Sequence, residues 1–220
     1  MVPLYGLGNC SSGDDASMAR RIGVFGGSFN PIHIGHLVIA EAAWQEFALA
    51  KVLFIPTADT PNKPMHHIDK YLRYHMVEIA VKDNPHFEIS PIEMERDGPS
   101  YTVDTIRLLQ RRFPDGTEFY FIAGTDAVAG LPSWKYNREL LESCQFICAS
   151  RPGDEDRLKQ TIRYIGPMGL EKIHFLRTPE LEISSTILRG LIRADRSVRY
   201  LIPDAVISFI HENQLYKGSW

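Results

Sequence analysis

The chain has 220 residues, of which 44% are hydrophobic and 23% are charged, and its net charge is −3 at pH 7. This composition is typical of a globular protein, and the length fits one large domain. The charge excludes a general basic field for nucleic acid or an anionic membrane, and no apolar run approaches the ~18 residues of a membrane span. An anionic ligand must therefore be bound by local positive groups.

Three cysteines, Cys10, Cys144 and Cys148, have a spacing that forms no disulfide framework. This odd count fits a reducing compartment, so we expect a cytoplasmic protein. Cys144 and Cys148 have the helical spacing of two metal ligands, but they flank the largely apolar residues 145–147. We therefore expect both to be buried as small hydrophobic side chains.

Residues 1–17 differ from the rest of the chain because they lack the charged start and the sustained apolar core of a signal peptide. Residues 11–15 are typical of flexible coil. We expect a disordered extension over residues 1–17 and a folded domain over residues 18–220, with Met18 as a natural start.

Short apolar runs alternate with helical patterns along the remaining chain. The predicted strands cover residues 22–25, 52–56, 87–90 with 91–93 as an extension, 118–123, 145–149 and 172–176. The predicted helices begin near Gly35 and then cover residues 71–82, 102–112, 137–143, 154–164, 184–193 and 203–213. This alternation predicts an α/β fold with a single Rossmann-like domain, in which a doubly wound, mainly parallel sheet has helices on both faces. In such sheets, ligands bind beyond the carboxyl ends of the strands.

The loop after the first strand carries the clearest site. Its sequence, Gly-Gly-Ser-Phe-Asn-Pro-Ile-His-Ile-Gly-His over residues 26–36, runs into a helix. Gly26 and Gly27 allow a tight turn and a close approach to a ligand, and a helix N-terminus presents N–H groups to an anion. His33 and His36 flank the same place. They could ligate a metal, but no third ligand lies nearby in the sequence, so we predict donors to a phosphate chain.

A second anion site is predicted near the other end of the chain, in Ile-Ser-Ser-Thr-Ile-Leu-Arg over residues 183–189. Ser184 is a good helix N-cap, Ser185 and Thr186 add hydroxyl groups, and Arg189 projects from the next turn. The alternative is an ordinary capped helix with a surface arginine.

These two stretches resemble the signatures of the nucleotidyltransferase superfamily. Between them, residues 99–102, 124–126, Trp134 and 151–153 resemble the bacterial nicotinate-nucleotide adenylyltransferases, and the similarity extends from about residue 20 to about residue 216. The resemblance implies transfer of an adenylyl group from ATP to nicotinate mononucleotide, giving deamido-NAD and pyrophosphate in NAD biosynthesis. The mononucleotide phosphate would attack the α-phosphorus in line, with Mg²⁺ carried by the ATP phosphates and no metal ligand from the protein.

The resemblance also implies individual roles. Trp134 would stack on the pyridine ring, Lys135 would favour an acidic ring substituent, and Asp126 would contact a ribose. The residues implied as catalytic are His33, His36, Lys63 and Arg189. Those implied for ATP are Gly26, Gly27, Ser28, Phe29, Gly124, Asp126, Arg151, Ser184, Ser185 and Thr186, and those for the mononucleotide are Ser100, Tyr101, Thr102, Trp134 and Lys135.

Several alternatives stay open. Trp134 could be a partly buried core aromatic, Asp126 a helix cap and Lys63 a solvated charge. The chain departs from the family pattern at Asn30, where aspartate is common, at Leu188, where isoleucine is usual, and at Asn62, where histidine is common. Rival functions are a related adenylyltransferase acting on nicotinamide mononucleotide or phosphopantetheine, and a nucleotide sensor without turnover. We expect neither nucleic acid nor a membrane as a partner, and the sequence leaves the oligomeric state open, with a homodimer as one option.

Overall fold

A computed structural model describes residues 20–58, 68–96, 98–150, 155–179 and 181–217. The predicted extension over residues 1–17 lies outside these ranges. Six strands form one sheet, with the order β3-β2-β1-β4-β5-β6, and every neighbouring pair is parallel. The strands are β1 (Arg21–Gly27), β2 (Lys51–Pro56), β3 (Phe87–Ile89), β4 (Glu118–Gly124), β5 (Gln145–Ser150) and β6 (Ile173–Arg177).

Helices cover both faces of the sheet, as predicted. They are α1 (Ile34–Glu46), α2 (Lys70–Val81), α3 (Thr102–Arg112), α4 (Thr125–Ala129), α5 (Asn137–Ser143), α6 (Glu155–Ile165), α7 (Pro167–Lys172), α8 (Ser185–Arg193) and α9 (Asp204–Glu212), and a 3₁₀ turn spans Leu131–Ser133. Because successive strand residues point to opposite faces, Phe25 joins a core with α1, α2, α8 and α9, whereas Val24 joins a core with α3, α4, α5 and α6. The predicted fold class is confirmed.

The predicted extension of the third strand over residues 91–93 is wrong. Pro91 has no N–H group to donate to a ladder, and its carbonyl accepts a hydrogen bond from the Met94 N–H at 2.7 Å, which closes a turn instead. The sequence also gave no signal for α4 and α7. These helices have five and six residues, too few for hydrophobic periodicity to become visible.

The buried face of α2 includes a charged residue. Leu72, Met76, Ile79 and Ala80, which have helical spacing in the sequence, all contact the core, and Arg73 is also buried, with 1% of its surface exposed. Its guanidinium meets backbone carbonyls, described below, which offset the loss of water around the charge.

Cys144 and Cys148 are buried, as predicted. Burial raises the pKa of the Cys144 thiol to about 12, and this thiol donates to the Leu140 carbonyl. The two cysteines therefore serve as core side chains. No set of three His, Cys, Asp or Glu residues lies close enough to hold a metal within the described part of the chain.

No helix in the ranges that the structure describes is both long and apolar enough to span a membrane.

The strand order reverses at β1. From β1 the chain moves outward to β2 and β3, and it then returns to the other side of β1 as β4. A crevice therefore opens between the segments that follow β1 and β4, at the carboxyl ends of both strands.

Gly26 and Gly27 end β1 and pair with Ile55 and Pro56 of β2, so the predicted tight turn at these two glycines is wrong. The chain turns at Asn30 and Pro31 instead, and we call residues 26–33 the glycine turn. Gly124 ends β4, and α4 begins directly after it at Thr125.

Candidate active site

The two sequence signatures meet directly. The Arg189 Nη1 group donates to the Asn30 carbonyl at 2.7 Å, and the Ser185 hydroxyl donates to the Pro31 carbonyl at 2.9 Å. These bonds join residues 159 and 154 positions apart in the chain. The N-terminal end of α8 therefore lies against the turn between β1 and α1, as the two predicted anion sites require.

Two further side chains support this turn from inside the protein. Arg73 donates to the Ser28 carbonyl at 2.8 Å and to the Ala58 carbonyl at 3.2 Å, so it links the turn to the segment after β2. Tyr216, near the end of the chain, donates its hydroxyl to Asn30 Oδ1 at 2.6 Å. The turn is thus held by polar groups from α2, from α8 and from the segment after α9.

The histidines are stacked, with 3.7 Å between their ring centroids. The His33 N–H donates to Nδ1 of His36 at 3.2 Å, so Nδ1 is an acceptor and the proton of a neutral His36 lies on Nε2. Burial, followed by the charge of neighbouring His33, holds the pKa of His36 well below its ordinary value. His36 is therefore a neutral hydrogen-bond donor at physiological pH.

The N-terminus of α1 differs from the expectation that its first N–H groups face a ligand. The Ile34 N–H donates to the Leu201 carbonyl at 2.9 Å, and the His36 N–H donates to the His33 carbonyl at 2.9 Å. At Gly35, a Cβ atom would lie 3.1 Å from Nδ1 of His33, which leaves little room for a side chain. The prediction that the N-terminus of α1 presents unpaired N–H groups is therefore wrong for Ile34 and His36, and the side chains of His33 and His36 line the cleft.

A cleft of about 460 Å³ lies at the carboxyl ends of the central strands. Six of the predicted site residues line it: His33, His36, Gly124, Asp126, Ser184 and Ser185. The other lining residues were not among the predicted site residues, although Gly35, Thr125 and Ile183 belong to the motifs quoted above. They are Phe25, Gly35, Val38, Ile39, Thr125, Ala149, Thr178, Pro179, Leu181, Glu182 and Ile183. The residues after β6 could have been found from the general rule that ligands bind at the strands' carboxyl ends.

Other predicted ATP residues do not line the cleft. Gly26 and Gly27 are the last residues of β1, Ser28 follows them, and Thr186 accepts a hydrogen bond from Arg189 Nη2 at 3.2 Å. The Phe29 ring is buried edge-on against His36, with 5.1 Å between the centroids, so Phe29 supports the histidine from the core.

Ser184 caps α8, as predicted, because its hydroxyl accepts from the Ile187 N–H at 3.3 Å. The first turn of α8 thereby presents hydroxyl groups and backbone N–H groups at the edge of the cleft.

Gly124 and Asp126 lie on the opposite wall of the cleft. A Cβ atom built on Gly124 would meet nothing within 4 Å, so the backbone there faces open space. The Asp126 carboxylate accepts from Arg157 Nη1 on α6 at 2.7 Å and remains largely exposed. Arg157 carried no signal in the sequence because its helix looks like an ordinary amphipathic one.

The residues predicted for the mononucleotide gather around the N-terminus of α3. The Lys135 ammonium lies 4.2 Å from the centroid of the Tyr101 ring, within cation–π distance. Trp134 is half-buried and meets Phe121 of β4 edge-on, with 6.0 Å between the centroids. A Cβ on Gly26 would lie 3.3 Å from the same Phe121 ring, so one ring of β4 separates the glycine turn from Trp134.

A buried carboxylate supports the start of α3. Glu93 is 7% exposed and accepts from the Thr105 hydroxyl at 2.7 Å. Burial raises its pKa, against the effect of hydrogen bonds from Thr105 and Ser100 and the charge of Arg96. Ser100 and the following first turn of α3 are thus fixed from the core. The sequence pattern predicted a strand at Glu93, so its role in fixing the start of α3 was not recognised.

Two predicted site residues, Lys63 and Arg151, lie outside the described ranges, as does Asn62. Their roles stay predictions.

A parallel sheet of this order, with a His-x-Gly-His turn at its switch point and a serine-capped helix against that turn, defines a nucleotidyltransferase. Residues 24–191 match the model of the cytidylyltransferase-like family. A protein of Lachnoclostridium phytofermentans named probable nicotinate-nucleotide adenylyltransferase is 40% identical over 90% of this chain and 99% of its own length. A protein of the same name from Moorella thermoacetica is 42% identical over 90% of this chain and 92% of its own.

The chain belongs to the cytidylyltransferase-like family and, within it, to the nicotinate-nucleotide adenylyltransferases. Among solved structures, a Plasmodium falciparum nicotinic acid mononucleotide adenylyltransferase complexed with NaAD superimposes with a TM-score of 0.73, covering 90% of this chain and 97% of that one. Its sequence identity is 20%, so this likeness shows a shared fold.

The neutral state of His36 can be tested by measuring how the free energy of unfolding depends on pH. In the unfolded chain its imidazole takes up a proton near pH 6.5, whereas the folded ring stays neutral, so the unfolded state binds more protons below that pH. The contribution is fully present above pH 6.5 and declines as the pH falls. Between pH 7.5 and 5.5, we expect the His36→Gln variant to lose less unfolding free energy than the wild type, because it lacks the imidazole whose pKa folding lowers.

Urea unfolding at the two pH values measures this difference. His211→Gln, which changes an exposed histidine on α9, is the matched control and should follow the wild type. An equal loss for wild type and His36→Gln would contradict the neutral state assigned to His36.

Proposed function

We propose that this chain transfers the adenylyl group of ATP to nicotinate mononucleotide, giving deamido-NAD and pyrophosphate. The observation that carries the proposal is the direct contact between the two signatures, because it gathers the histidines and the N-terminus of α8 at one cleft. Membership in the nicotinate-nucleotide adenylyltransferase family supports the choice of substrates.

The triphosphate would lie between His36 and the first turn of α8. The Nε2–H of a neutral His36 can donate to a phosphate oxygen, and the α8 terminus adds hydroxyl and backbone donors with the positive end of its dipole. Arg189 donates one N–H group to the Asn30 carbonyl and one to the Thr186 hydroxyl. A guanidinium has five N–H groups, so the others remain available to a phosphate. We expect Lys63 to add a second positive charge there.

The adenosine would lie toward the opposite wall. Open space above Gly124 allows a sugar to approach the backbone closely, and the exposed Asp126 carboxylate can accept from ribose hydroxyls. Arg157 holds that carboxylate at the rim of the cleft. We expect Arg151, which the resemblance implies for ATP, to lie near the adenine.

The pyridine ring would lie at the N-terminus of α3. Trp134 offers an aromatic face at the surface of its core, and Thr102 with its neighbours can bind a carboxylate through hydroxyl and N–H groups. The Lys135 ammonium, held above Tyr101, adds a positive charge that favours an acid over an amide. This charge supports nicotinate mononucleotide as the acceptor.

The chemistry needs no covalent intermediate. A phosphate oxygen of the mononucleotide attacks the α-phosphorus of ATP, and the bond from that phosphorus to the bridging oxygen of the pyrophosphate breaks. The nucleophile is already ionised, so the protein contributes position and charge stabilisation rather than proton transfer. Mg²⁺ would arrive with ATP, bound mainly by phosphate oxygens and water, and it would neutralise part of the charge. We assign the reaction to the cytoplasm and to the domain over residues 18–220.

A release assay tests the function. With Mg²⁺ and ATP, we expect the purified full chain to release pyrophosphate with nicotinate mononucleotide at a kcat/KM at least ~10-fold above that with nicotinamide mononucleotide, which lacks the charge that Lys135 would meet. Equal or better use of nicotinamide mononucleotide would overturn nicotinate mononucleotide as the assigned substrate. Pyrophosphate release with phosphopantetheine, and with neither mononucleotide, would favour a phosphopantetheine adenylyltransferase. Absence of release with every acceptor would leave a nucleotide sensor as the better account.

The Trp134→Ala variant tests the place of the pyridine ring. Loss of stacking should raise the KM for nicotinate mononucleotide by ~10-fold or more, whereas the KM for ATP should change by less than ~2-fold. Steady-state kinetics with each substrate varied in turn gives both values.

Trp44→Ala is a matched control, because Trp44 stacks on His86 of the protein itself, with 3.8 Å between the centroids, and belongs to α1. It should leave both KM values unchanged. If Trp134→Ala raises both KM values equally, Trp134 is a core residue rather than a ligand contact.

A further inference from the structure

Tyr216 has a buried hydroxyl that neither sequence signature explains. The side chain lies near the end of the chain, after α9, and only 2% of its surface is exposed. Its hydroxyl donates to Asn30 Oδ1 at 2.6 Å, across 186 positions of sequence. The Sδ atom of Met76 lies 4.0 Å from the same oxygen. A polar group placed so deep in the core must have its hydrogen bond satisfied there.

Asn30 is fixed from two directions. Arg189 Nη1 holds its backbone carbonyl, and Tyr216 holds its side-chain oxygen. Asn30 is itself 4% exposed, so water cannot readily replace either partner. Since Asn30 precedes Pro31 by one residue and His33 by three, its position sets the path of the turn into α1.

The surroundings keep this hydroxyl protonated. Burial raises the pKa of the Tyr216 phenol, against the positive charges of Arg189 and Arg73. Those two guanidinium groups bind carbonyls of the same turn, those of Asn30 and Ser28. Tyr216 thus donates to the same loop that Arg73 and Arg189 support, and both arginines are near enough to influence its phenol.

We propose that Tyr216 is a positioning residue for adenylyl transfer. Its hydroxyl holds Asn30, and Asn30 in turn anchors the Arg189 guanidinium and sets the entry of the chain into the His33–His36 pair. The inference rests on the proposed function for its kinetic readout. It also accounts for asparagine at position 30, because Asn and Asp both offer an Oδ acceptor to a phenol donor.

The Tyr216→Phe variant removes one oxygen atom and keeps the ring in the core. We expect kcat to fall by ~10-fold or more, since small displacements of positioning groups have large effects on rate. The KM for nicotinate mononucleotide should stay within ~2-fold, because Trp134 and α3 lie on the other face of the sheet. The Tyr200→Phe variant makes the same chemical change at a side chain that is 82% exposed, and it should match the wild type.

A double-mutant cycle with Asn30 separates positioning from simple stability. On an Asn30→Ala background, Tyr216→Phe should reduce kcat by less than ~2-fold further, because its acceptor is gone. Asn30→Asp, which keeps an acceptor, should retain kcat within ~3-fold of the wild type. Thermal unfolding of each variant checks that the measured chains are folded, and these Asn30 variants decide the question if Tyr216→Phe does not fold.

If the wild type is active and Tyr216→Phe has an unchanged kcat, the positioning role is overturned and the proposed function stays intact. The same holds if the fold-losses in kcat of the two single variants multiply in the double variant, or if Asn30→Ala retains the full kcat. A lower melting temperature with unchanged kcat would show a structural role only. A wild type without pyrophosphate release would instead count against the proposed function.

Discussion

The hydrogen-bonding needs of one turn constrain much of this structure. The chain between β1 and α1 has carbonyl groups that form no hydrogen bond within the sheet or a helix. These carbonyls accept hydrogen bonds from side chains of remote segments: Arg73, Ser185 and Arg189. Buried carbonyls without donors would be unfavourable by roughly 1–3 kcal/mol each, so the turn and its supports form together. The same contacts that complete the fold bring the two predicted anion sites to one cleft.

The sheet order explains why two ligands can meet there. Because β1 and β4 are neighbours and their crossovers leave in opposite directions, the histidine turn and the Gly124 segment face each other across the crevice. Trp134 and α3 lie beyond Phe121, a residue of β4 that also contacts the glycine turn. The geometry therefore offers one place for a triphosphate and an adjacent place for a ring, as required for a reaction between two bound nucleotides.

Local patterns in the sequence predicted the six strands, the serine cap of α8 and the burial of both cysteines, because each depends on a few neighbouring residues. Contacts between distant residues were not predictable in this way. Arg73 looks like a solvent-facing charge on an amphipathic helix, and only the backbone carbonyls around it explain its burial. Glu93 and Tyr216 likewise acquire their roles from hydrogen-bond partners elsewhere in the chain. The sequence also could not show that the backbone N–H groups of Ile34 and His36 donate to carbonyls within the protein.

A crystal structure of the chain with Mg²⁺ and a non-hydrolysable ATP analogue tests the central claim most directly. The account predicts phosphate oxygens within about 2.7–3.2 Å of both the His36 Nε2 atom and the donors in the first turn of α8, in a single site. A triphosphate that contacts only one of these two elements, or that binds outside the cleft between them, would contradict it.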